Sequence, residues 1–83
     1  MDMTIEKAKQ DLQSRLRFGD DRQIRANRFL VAALEGVDLI REGRGDRLED
    51  DFSMSDEEIV AARQVNNLQE RGENPMRGLP GVA

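Results

Sequence analysis

The sequence predicts a small all-α domain built from three helices. Apolar residues recur at spacings of three and four in three separate segments, which is the pattern of a helix with one buried face. A residue with a capping side chain precedes each segment, and a glycine follows it. We therefore predict a helical hairpin over residues 5–18 and 21–41 and a third helix over 56–70. Residues 1–72 would form a single domain, and residues 73–83 an extended C-terminal arm.

The first helix begins after Thr4, whose hydroxyl can accept a free amide of the first turn. Gly19 ends it, in the position that a glycine commonly occupies after a helix. Its apolar face consists of Ile5, Ala8, Leu12 and Leu16.

The second helix carries two adjacent apolar stripes, and Asp20 and Asp21 supply its N-terminal cap. One stripe contains Ala26, Leu30, Ala33, Val37 and Ile40, and the other contains Phe29, Ala32, Gly36 and Leu39. Two stripes indicate a helix that contacts neighbours over a wide arc. The first stripe also has heptad spacing, so it could serve as a seam between copies of the chain. Gly36 marks either a close helix crossing or a tolerated exposed glycine.

The third helix begins with a capping box, in which Ser55 caps the helix and Glu58 lies three residues later. Its apolar line is Ile59, Ala62, Val65 and Leu68. We expect Phe52 and Met54, in the acidic connection before this helix, to fold back onto the core. Met54 would pack against Ile59 as a hydrophobic staple.

The arm over residues 73–83 contains two prolines and cannot form a regular helix. Its apolar side chains are Met76, Leu79 and Val82. A body this small offers them little room, so we expect them to bind a groove on a neighbouring chain.

Composition restricts the possible functions. The 83 residues include no Cys and no His, which excludes disulfides, thiolate metal sites and Cys–His catalytic pairs. No phosphate-binding glycine loop is present. We therefore expect neither an enzyme nor a bound cofactor or metal. The sequence also shows no membrane-length apolar run and no signal peptide, so we expect synthesis in the cytoplasm, which is compatible with later incorporation into a particle.

Two motifs in the connection between the second and third helices suggest function and are better explained by structure. The triplet Arg44-Gly45-Asp46 resembles an adhesion motif, but such a triplet arises easily by chance in a chain rich in these residues. We interpret its glycine, together with Gly43, as the end of a helix and the start of a turn. The acidic residues that follow do not match the ligand spacing of a calcium-binding loop in either register tested, from Asp46 or from Asp50.

Three arginines, Arg22, Arg25 and Arg28, are spaced to form a strip on the second helix. Together with Arg15 and Arg17 they form a basic set, which either makes ordinary surface ion pairs with Asp11, Asp20, Asp21 and the acidic connection or binds an anionic partner. A sequence pI near 4.8 and the scarcity of aromatic residues argue against direct nucleic-acid binding.

The leading functional hypothesis is a structural or assembly component that binds a larger protein complex, such as an accessory protein of a phage or similar particle. Met76, Leu79, Val82 and the three arginines of the strip would contact the partner. An alternative is a regulatory or inhibitory protein of the anti-defence type. It would act through the acidic connection or the Arg strip on a nucleic-acid-binding or phosphorylated target. A third is a homo-oligomer built on the heptad stripe.

The turn interpretation of residues 44–46 predicts the result of a double substitution. Arg44→Lys combined with Asp46→Glu should leave partner binding unchanged, because both changes preserve the charges and leave the glycines in place. Binding is measured by co-purification, with circular dichroism as the check on the fold. Lost binding in a folded double variant would show that the triplet is a recognition site.

Overall fold

The computed structural model describes residues 4–79, apart from the side chains at positions 76 and 78. Within these residues the chain forms three α-helices and no β-strand: α1 (Ile5–Arg15), α2 (Asp21–Arg41) and α3 (Asp56–Glu70). Two 3₁₀ turns, Gly45–Arg47 and Pro75–Gly78, follow α2 and α3 respectively. The predicted all-α class is confirmed. α3 has the predicted bounds, whereas α1 ends three residues before the predicted position 18.

All three predicted N-terminal caps are present. The Thr4 hydroxyl accepts a hydrogen bond from the Lys7 amide at 3.2 Å, and the Asp20 carboxylate accepts one from the Gln23 amide at 2.8 Å. At α3 the Glu58 amide donates to the Ser55 hydroxyl, and the Ser55 amide donates to the Glu58 carboxylate. Each cap satisfies an amide that the helix leaves free, which fixes where the helix starts.

The core is centred on α2, which packs against α1 on one side and α3 on the other. Leu34 and Val37 of α2 are fully buried, as are Leu12 of α1 and Val65 of α3. An ion pair between Lys9 and Asp38 also joins α1 to α2. The wide contact arc predicted for α2 is present.

The heptad stripe is not available as a seam between copies, which corrects that sequence-based interpretation. Leu30, Ala33 and Val37 are buried within the chain's own core, whereas Ala26 is exposed. Leu34, which belongs to neither predicted stripe, is also buried. The helix therefore uses a broad face for its own packing, and a narrow line of residues does not describe that face.

Gly36 lies at the crossing of α2 and α3. A Cβ atom at this position would lie 2.9 Å from the Cβ of Ala62 and 2.7 Å from the Cε of Met54. Both distances are shorter than carbon atoms tolerate, so the two helices can approach this closely only because the residue is glycine. Of the two interpretations that the sequence left open, the close crossing is the one observed.

The acidic connection between α2 and α3 is held down by two apolar side chains. Leu48 is 1% exposed and Met54 is 8% exposed, and the Met54 amide donates to the Leu48 carbonyl at 2.9 Å. The expected burial of Met54 is confirmed. Phe52 instead remains 38% exposed. The chain reverses at Ser53, whose φ of 54° lies in the left-handed region, so only one of its two apolar neighbours enters the core.

The described part of the arm folds back onto the body, which corrects the expected extended conformation. Pro75–Gly78 form a 3₁₀ turn that packs against α1 and α3. Pro75 is fully buried and Leu79 is 3% exposed. The body therefore has room for these side chains, because α1 and α3 leave a space between them that the turn fills.

This packing predicts a loss of stability on truncation. Deleting residues 74–83 removes the buried Leu79, and loss of a buried Leu side chain costs about 2–5 kcal/mol. Domains of this size are stable by only about 3–5 kcal/mol, so the shortened chain should be largely unfolded at room temperature. Thermal melting followed by circular dichroism measures the effect. The control is a chain ending at Leu79, which keeps the whole turn, and equal melting temperatures for the two chains would contradict the packing role.

The helix crossing predicts an unfavourable effect for Gly36→Ala. Alanine is a better helix former by about 1 kcal/mol, but crowding of a packed contact costs about 1–3 kcal/mol. The contact with Ala62 cannot relax by side-chain rotation, so we expect net destabilisation in chemical denaturation. The neighbouring exposed residue Glu35 provides the control, since Glu35→Gly should be less stable than Glu35→Ala. A Gly36→Ala variant that is more stable than the parent chain would show that the crossing is not tight.

Candidate protein-docking surface

An open cleft of about 460 Å³ lies between α2 and α3 on the protein surface. Its lining residues are Phe29 of α2 and Asp56, Glu57, Val60, Ala61 and Gln64 of α3. The capping box at Ser55 starts α3, and this places both acidic residues in the first helical turn at the rim of the cleft. The cleft is therefore apolar inside and acidic at one end.

Val60 is the most exposed apolar side chain in the cleft, at 54% of its surface. Ile59, one residue earlier, packs against the core, and a helix turns by about 100° per residue, so Val60 lies beside the buried face. Phe29 is half-buried on the facing helix. Sequence reasoning assigned Phe29 to packing and did not consider Val60. The available signal was an apolar residue outside the line of Ile59, Ala62 and Val65.

The Arg strip extends from this cleft along α2. Arg25 precedes Phe29 by four residues and Arg22 precedes it by seven, so both lie on the face of the helix that carries Phe29. Arg22, Arg25 and Arg28 are exposed, and none of them forms an ion pair within residues 4–79.

Two of the acidic groups expected to neutralise the strip have other partners. Asp11 pairs with Arg15, and the Asp20 carboxylate caps α2. Among the described residues, the Arg25 Nε atom donates a hydrogen bond to the Asp21 backbone carbonyl oxygen at 3.4 Å. Of the ion pairs considered for the basic residues, the described residues contain the one between Arg15 and Asp11 and none of Arg22, Arg25 or Arg28, whose side chains are exposed.

Of the apolar contact residues predicted in the arm, the structure describes the side chain of Leu79 alone. Leu79 is buried in the chain's own core and cannot contact a neighbour without leaving it. The side chain of Met76 and the whole of Val82 lie outside the described residues. The predicted docking of all three on a neighbouring chain is thus corrected for Leu79.

The motifs of the acidic connection have structural roles where the structure describes them. Gly43 has a φ of 84° and follows the end of α2, and Gly45 and Asp46 begin the first 3₁₀ turn. The turn interpretation of the Arg-Gly-Asp triplet is confirmed. Among residues 4–79, no group of three acidic side chains is arranged to hold a metal ion.

Comparison with known proteins finds no matching family model, curated protein or solved structure. None of the helices in the described part of the chain has the length and apolar character needed to cross a membrane. The α2–α3 cleft and the Arg strip are therefore the features from which a function can be inferred.

Proposed function

We propose that this chain is a non-enzymatic structural or assembly component that binds a larger protein complex through the α2–α3 cleft and the adjoining Arg strip. One observation carries the proposal. An apolar cleft is bordered by charged side chains that form no ion pair within residues 4–79, on a face that the packing of these residues leaves open.

The chemistry of the cleft suits a protein partner. Phe29 and Val60 can bury apolar surface on binding, which is the main favourable contribution to protein association. The acidic rim and the Arg strip provide opposite charges on either side of this apolar surface, and such charges orient a partner and select against others. Arginine is favoured in interfaces because its guanidinium group pairs with two carboxylate oxygens at once.

The small size of the body suits an accessory protein of a phage or similar particle. At 9.4 kDa the chain can occupy a site on a large assembly without extending far from it. This assignment extends the proposal by analogy with the general character of such proteins.

A regulatory or inhibitory protein is the second candidate, supported by a different observation. Asp46, Glu49 and Asp50 in the acidic connection are exposed and form no ion pair among the described residues. Such a surface could occupy the basic site of a nucleic-acid-binding target. This function would depend on the connection and would not require the cleft.

The proposed docking function predicts that Val60→Glu abolishes co-purification with the partner from the native source. A charge buried without a partner in an apolar contact disrupts binding by at least about tenfold. Because Val60 is half exposed in the free chain, the variant should keep its helical circular dichroism spectrum and melting temperature. Co-purification is followed by measurement of the intact mass of the purified species.

The matched control is Asn67→Glu, which adds the same charge to an exposed position of α3 outside the cleft. It should bind as the parent does. Binding that survives Val60→Glu but is lost when Glu49 and Asp50 are both changed to Lys would favour the regulatory alternative. A folded Val60→Glu chain that binds fully would contradict docking through the cleft.

A further inference from the structure

Phe18 is the one large apolar side chain that the fold leaves almost entirely exposed, at 74% of its surface, among the described residues. It lies in the short connection between α1 and α2. Its amide donates to the Arg15 carbonyl at 3.2 Å, and Gly19, with a φ of 106°, follows it directly. The turn thus holds this aromatic ring outward at one end of the helical hairpin.

Two arginines line the surface beside the exposed ring, and the acidic residues that follow it in the chain, Asp20 and Asp21, do not line that surface. Arg15 and Arg17 lie within three residues of Phe18, and both line the surface around it. Arg17 has no ion pair within residues 4–79, and Arg15 has only a long contact of 3.8 Å with Asp11. The tip of the hairpin is therefore an apolar knob with a basic border.

The α2–α3 cleft has the opposite character. Phe29, Val60 and Ala61 form its apolar surface, while Asp56 and Glu57 at its rim have no ion pair within the described residues. The cleft and the knob share no lining residue, so the Phe18 ring does not fill the cleft of its own chain. An apolar knob lined by Arg15 and Arg17 matches the acidic end of the cleft, which Asp56 and Glu57 line, while the Arg strip lies on the other side of the cleft.

We propose that the cleft receives Phe18 of a second copy of this chain, with Arg15 and Arg17 of that copy against Asp56 and Glu57. This inference rests on the proposed function, because it names the occupant of the same docking surface. Aromatic residues inserted in a pocket commonly dominate the energy of an interface. The charges at the border fix the orientation of the inserted ring.

The contact joins two different surfaces, so it repeats from copy to copy in a head-to-tail series. Such a series either closes into a ring or continues as a filament. A symmetric contact between two clefts would not use Phe18, because the cleft and the knob share no lining residue.

A mixing experiment with two purified variants tests the arrangement. Phe18→Ser removes the knob and keeps the cleft, whereas Val60→Glu blocks the cleft and keeps the knob. Each variant alone should be monomeric at concentrations where the parent associates, because each loses at least about tenfold in affinity. Their equimolar mixture still contains one intact knob and one intact cleft. It should therefore form a dimer of twice 9.4 kDa by light scattering, weakened by added salt.

Each alternative gives a different result. If Phe18→Ser associates like the parent and Val60→Glu is monomeric, the contact is between two clefts and the proposal is wrong. A mixture that stays monomeric also overturns it. Both substituted positions are exposed, and circular dichroism verifies that both variants are folded. If the parent chain is monomeric at all concentrations, a second copy does not occupy the cleft and the proposal is wrong. The proposed function would still be supported if the native partner co-purified with the parent chain but not with Val60→Glu.

Discussion

The close approach of α2 and α3 at Gly36 determines how the rest of the molecule is arranged. Two helices that cross at a point of contact separate on either side of it. The α2–α3 cleft lies on one such side, where Phe29 of α2 faces Val60 of α3. A side chain at position 36 would increase the separation of the helices, displace Met54 and change the shape of this cleft. A packing constraint inside the molecule thus shapes the surface that we propose for binding.

The same crossing explains how a strongly acidic connection remains attached to the body. Met54 packs over Gly36, and its amide bonds to the carbonyl of the buried Leu48. The buried side chains of Leu48 and Met54 attach the connection to the body, while Glu49 and Asp50 between them stay in solvent. No carboxylate has to be desolvated, so the negative charge contributes to the surface at little cost in stability.

The sequence predicted those parts of the fold that depend on local chemistry. Thr4, Asp20 and Ser55 start helices by accepting hydrogen bonds from amides three residues later, and such bonds can be recognised from spacing alone. The burial of Leu34 and Leu48 depends on which elements meet in space. No periodic pattern records that information, and the heptad stripe gave a narrower face for α2 than the one observed.

The candidate site was less predictable than the fold, for a related reason. The Arg strip lies on one helix and was visible as an i, i+3 spacing, but the spacing could not show that its arginines form no ion pair within residues 4–79. The cleft requires Phe29 and Val60, which are 31 positions apart in the sequence and come together only through the crossing of α2 and α3. For the described residues 73–79, Pro75 correctly excluded an α-helix. It gave no sign that α1 and α3 leave a space of the right size for Pro75 and Leu79.

The 3₁₀ turn in that space has a consequence for the dynamics of the domain. α1 and α3 both pack on α2, but within the described residues their backbones do not approach each other, and the turn contacts both of them. It therefore changes a linear row of three helices into a closed circuit of contacts. In a linear row an outer helix can detach alone, whereas in a closed circuit its detachment also breaks contacts on the far side. Amide hydrogens of α1 and α3 should for this reason exchange with solvent through a shared opening event, as one cooperative unit.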